Sequence, residues 1–135
     1  MTIGACDLLS YAALLNQNDA LTEVERRNIV GRAYYSVFHS ALELVEFDLK
    51  IDLSEIKAST HASLFLALKS HATSNRPLMT KLQALSRELK ALHGHRVISD
   101  YYLSKTVTQT TVELVLAEAS RLSRRISELQ STAAA

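Results

Sequence analysis

Arg32 and His39 bracket the string Arg32-Ala-Tyr-Tyr-Ser-Val-Phe-His39, a spacing of two helical turns and about 10.5 Å of rise. On a helix they share a face, with Tyr35 and Ser36 between them. A guanidinium is a permanent cation whose planar donors match phosphate oxygens. An imidazole exchanges a proton near neutral pH. The pair could therefore hold a phosphodiester and move a proton at it without a metal. The same spacing also suits a structural role, with Arg32 paired to an acid while His39 and the tyrosines close a core.

A second cluster runs His93-Gly94-His95-Arg96-Val-Ile-Ser-Asp100-Tyr101-Tyr102. If it is helical, Arg96 and Asp100 form an i,i+4 pair. Arg96 is then a further phosphate-binding candidate, with Asp100 and Tyr101 orienting it or clamping one helix to another. His93 and His95 lack a third ligand nearby and Cys6 is remote, so neither a metal nor another cofactor is expected. No Gly-rich phosphate loop, Cys-x-x-Cys pair or nucleophile elbow is present. The tyrosines beside basic residues could stack bases or bridge core and rim.

The 135 residues carry a net charge of +1, too little for a global pull toward nucleic acid or membrane. The charge is uneven, however. Lys69, Arg76, Lys81, Arg87, Lys90 and Arg96 face only Glu88, whereas the stretch from Glu43 to Lys57 is acidic. The basic stretch could meet a polyanion or be a solvated helix face. No apolar run approaches the roughly 18 residues of a membrane span, and the N-terminus lacks the order of a signal peptide. With one cysteine, the expectation is a cytoplasmic protein that makes no membrane contact.

Three Gly and one Pro are too few for a turn-rich β fold. Apolar spacing predicts helices over Ile3–Asn16, from the Thr22-Glu23-Val24-Glu25 capping box to about Asp48, over Thr60–Ala72, over Leu78–Leu92, and over Gln109–Gln130. Asn75-Arg76-Pro77 reads as an interruption, and Gly94 as an end or bend before a short segment through Tyr102. A Thr110-to-Glu113 pattern suggests the cap of the last helix. The fold class is all-α: one bundle of about five helices in a single domain spanning residues 1–135, with 131–135 as a frayed tail. The long second helix, with Val37, Ala41, Leu44 and Val45, offers more apolar surface than a small bundle needs. That surplus suggests a homodimer through the face bearing Arg32.

Arg27-Asn-Ile-Val-Gly-Arg-Ala-Tyr-Tyr-Ser-Val-Phe-His-Ser-Ala41 resembles the signature helix of small HEPN proteins (higher eukaryotes and prokaryotes nucleotide-binding). Further landmarks fall in the order of that branch. Thr60-His61-Ala62-Ser63-Leu64 is similar to its Thr-His-x-x-Leu helix start, Arg96-to-Tyr101 to its Arg-x-x-Ala-Asp-Tyr element, and Val107-Thr108 to the opening of its final helix. The resemblance covers about Leu21 to Leu129. It implies a dimeric helical bundle of toxin–antitoxin, phage-defence or RNA-processing systems, often encoded beside a small nucleotidyltransferase. Active members are metal-independent endoribonucleases with an Arg-x(4–6)-His motif at a dimer cleft. Arg32 and His39 meet its loosest form. In the ribonuclease members the motif lies on a late helix, where this chain has Arg96 and no histidine following it at that spacing. The implied alternatives are catalysis by Arg32 and His39, or a non-catalytic interaction or nucleotide-binding module.

Overall fold

The computed structural model describes residues 3–134. It is an all-α bundle of five helices: α1 (Ala5–Leu15), α2 (Glu23–Glu43), α3 (Thr60–Ser70), α4 (Arg76–Tyr101) and α5 (Gln109–Ala134). Among the described residues no helix is long and apolar enough to cross a membrane.

The capping box at the start of α2 forms as expected, Thr22 Oγ1 accepting from Glu25 N–H and Glu25 accepting from Thr22 N–H. At its far end α2 widens into a π turn over Leu44–Asp48, and Lys50 turns the chain away at a φ of 56°. The helix is central, packing on α1, α4 and α5. Ile29, Val30, Ala33, Tyr34, Val37, Phe38 and Ala41 are buried around most of its circumference. What stays open is a strip of Asn28, Arg32, Tyr35, His39 and Glu43, three or four residues apart.

Two sequence expectations need correction, the end at Gly94 and the cap of the last helix. The interruption at Asn75-Arg76-Pro77 is present as the break between α3 and α4: Asn75 caps α4 by accepting from Leu78 N–H, and Pro77 sits in the first turn, where its missing donor costs nothing. α4 does not end at Gly94, since packing through Leu92 and Ser99 on either side carries it to Tyr101. α5 runs to Ala134, so the segment expected as a tail is helical as far as it is described; Ala135 lies outside the described residues. The cap of α5 lies two residues earlier than expected, with Thr108 Oγ1 accepting from Thr111 N–H.

Val37, Ala41, Leu44 and Val45 are fully buried within the one chain. They join Leu64, Leu82, Leu85, Leu89, Val112, Val115, Leu122 and Ile126 in a single core. The apolar surplus that suggested a dimer is therefore consumed internally. Buried serines tie neighbouring helices: Ser36 donates to the Ala5 carbonyl of α1 at 2.6 Å, and Ser86 of α4 donates to the Phe65 carbonyl of α3 at 2.8 Å.

Candidate functional site

Because α4 continues through Gly94, Arg96 stands one turn before Asp100 on the same helix, and its Nε lies 2.8 Å from Asp100 Oδ2. The contact is poorly aligned for a hydrogen bond. Arg96 Nε and Arg32 Nε are both buried nitrogens without a hydrogen-bond partner. Tyr35 of α2 brings the two arginines together. Its ring centre is 5.5 Å from the Arg32 guanidinium carbon and 5.2 Å from that of Arg96, which also lies 5.4 Å from the Tyr101 ring. Burial opposes the charge on Arg96, but Tyr35 and Asp100 outweigh it and its pKa moves up. Asp100 remains exposed, so its pairing is worth no more than about 1 kcal/mol.

His39 is exposed, with its ring 6.2 Å from Tyr35 and 5.3 Å from Phe38. Arg32, Tyr35 and His39 thus share the strip that spacing predicted, with Tyr35 touching both. His39 also borders a hollow of about 340 Å³ with Gly4, Ala5, Leu8 and Glu43, on the α1 side. Ser36 is not available to a ligand: it is fully buried and its hydroxyl is committed to α1. Tyr101 is two-thirds exposed at the end of α4.

Residues outside the sequence-derived site lie against it. Tyr34, fully buried, places its hydroxyl 2.6 Å from His61 Nδ1, and the His61 and His93 rings are 4.7 Å apart. Burial raises the Tyr34 pKa further above the ordinary tyrosine value. With no other partner for its proton among the described residues, the phenol donates to Nδ1, leaving Nε2 as the protonated nitrogen of a neutral His61. Burial, then the charges of His93 and Arg96, hold the His61 pKa below 6.5; burial and then Arg96 do the same for His93. The sequence did hold a signal for the pair. His61 extends the Phe65–Leu68 row of α3, and His93 falls four residues after Leu89. Both histidines sit where an amphipathic helix places its inner face.

Among the described residues no group of three His, Cys, Asp or Glu side chains gathers to hold a metal. No family model, curated protein or solved structure matches this chain.

Proposed function

We propose that this chain is a HEPN-type protein directed at RNA, acting as a metal-independent endoribonuclease of a toxin–antitoxin or phage-defence system. The observation that supports it best is Arg32, a half-buried guanidinium stacked on Tyr35 beside Arg96, with no acid paired to it among the described residues. A cation held in place but not neutralised suits a phosphate. Tyr35 and Tyr101 offer flat faces on which bases could stack.

In this reading His39, open to solvent one turn beyond Tyr35, accepts the proton of a ribose 2′-hydroxyl as that oxygen attacks the adjacent phosphorus. The bond from phosphorus to the 5′-oxygen breaks. A 2′,3′-cyclic phosphate remains, and the departing 5′-oxygen takes up a proton. Arg32 and Arg96 stabilise the charge gathering on the phosphate oxygens. A two-fold homodimer would set two such strips across one cleft.

The test is incubation of the purified protein with an RNA and with its 2′-deoxy counterpart. Cleavage confined to the RNA and abolished in His39→Ala is expected. Cleavage of both strands, or cleavage unchanged in His39→Ala, would refute the mechanism. A second reading is a non-catalytic module holding a nucleotide or a small nucleotidyltransferase. It is favoured by the position of His39 beside the α1 hollow, on the side of Tyr35 away from the arginines along the strip. Ligand binding that Arg32→Ala abolishes, in a protein with no cleavage, would select it.

A further inference from the structure

Between α3 and α4 runs a groove of about 810 Å³ that the RNA reading does not use. His61 and His93 line it together with Lys69, Arg87 and Lys90, and no carboxylate is among its lining residues. Phe65 and Leu66 supply apolar wall, and Ser86 holds the two helices together beneath by its bond to the Phe65 carbonyl. The three cations are exposed side chains on a solvated rim, whereas the imidazoles are half-buried against Tyr34. With Nδ1 of His61 occupied by the Tyr34 hydroxyl, its Nε2–H is the donor left free.

We propose that this groove is a binding site for a phosphomonoester. His61 and His93 donate to its oxygens, Lys69, Arg87 and Lys90 balance its charge, and Phe65 and Leu66 receive an apolar or aromatic body. The two rings are too close at 4.7 Å to flank a phosphorus atom from opposite sides, so they serve one anion from the same side. Three fixed cations without an acid favour a dianion over the single charge of a diester. The size suits a small organic ligand rather than an ion alone.

The site is also coupled to protons. The imidazoles face Tyr34 and Tyr35 from α2, Lys69 from α3, and Arg87, Lys90 and Arg96 from α4. Burial first, and then the charge of Arg96, joined by that of His93 for His61, keeps the empty pair neutral at pH 7. A dianion reverses the field, so binding takes up a proton. Affinity then rises as the pH falls from roughly 8 to 6.5, and drops again as the ligand itself protonates near ~6.

The experiment titrates the full chain with phenyl phosphate, using methyl phenyl phosphate as the diester control and inorganic phosphate as the bodiless control. Imidazole carbon-bound proton resonances report site occupancy, and calorimetry in buffers of different ionisation enthalpy reports proton uptake. Expected are shifts at His61 and His93, monoester binding at least about tenfold tighter than diester, and inorganic phosphate weaker than phenyl phosphate. The variant K69Q/R87Q/K90Q should bind at least about tenfold more weakly with an unchanged melting curve, since all three side chains lie on the surface. The proposal is overturned by silent histidines at millimolar ligand, by a diester that binds as well as the monoester, or by a triple variant that binds like the parent. It stands apart from the RNA reading, because these substitutions leave Arg32, His39 and Arg96 in place.

Discussion

Arg27 and Arg32 lie five residues apart on α2 and meet opposite fates. The Arg27 guanidinium is saturated. It donates to the carbonyls of Ile98 and Ser99 at 3.2 and 2.9 Å, to that of Lys105, and to Glu23 at 3.0 Å. Arg26 adds a bond to the Val107 carbonyl at 2.7 Å, and Glu23 in turn accepts from Val107 N–H. This clamp satisfies the orphan carbonyls where α4 ends and fastens the loop to α5. Arg32 meets no helix end. It has an aromatic ring, a second arginine and an unpartnered Nε. Residue type does not separate structural cations from available ones; what their donors face does.

The strongest way to break this comparison is to remove each guanidinium. Arg27→Met is expected to cost about 2–4 kcal/mol in urea unfolding, as several carbonyls lose a charged donor together. Arg27→Lys should recover only part of that, because an ammonium cannot reproduce the planar fork. Arg32→Met should cost less than about 1 kcal/mol. Equal losses at the two positions would show that Arg32 is structural after all.

Affinity gives the reverse contrast. Arg32→Met should weaken RNA binding about tenfold and lower the salt dependence by roughly one phosphate contact. Arg27→Met, measured below its melting range, should leave both near the parent values. Filter binding at several salt concentrations reads the two variants side by side.

Acid sharpens the difference, because a carboxylate, Glu23, pairs with Arg27 and none pairs with Arg32 among the described residues. Bonds from Val107 N–H and then Arg27 hold Glu23 below its ordinary value of 4.5. A depressed carboxyl contributes stability that is present above 4.5 and lost as the pH falls through its folded value. Unfolding followed from pH 6 downward should show that loss in the parent and a flatter acid limb in Glu23→Gln. Identical limbs would remove Glu23 from the clamp.

The smallest effect concerns the helix that carries both Arg96 and the carbonyls Arg27 holds. Gly94 lies inside α4 at negative φ, and a Cβ there would meet nothing within 4 Å. Gly94→Ala should therefore stabilise by about 0.5–1 kcal/mol with site properties unchanged. A loss of stability would mean that α4 needs to yield at that point.

Much of the molecule was legible before folding. Periodicity located the helices, and the Thr22 box and the Arg32, Tyr35 and His39 row depend on contacts within a few residues, which local spacing encodes. Ends and breaks were less legible. Pro77 and Gly94 carry opposite meanings depending on whether a residue opens a helix or sits within one held by packing.

The sequence by itself determined an all-helical chain, the faces of its helices and the i,i+4 approach of Arg96 to Asp100. Only the tertiary structure decided which polar groups are spent. Ser36 is taken by an α1 carbonyl 31 residues away, Arg27 by the end of α4 more than 70 residues on, and His61 by Tyr34 and His93 from two other helices. A buried donor must find an acceptor, but nothing in local spacing says which distant backbone or ring will supply it.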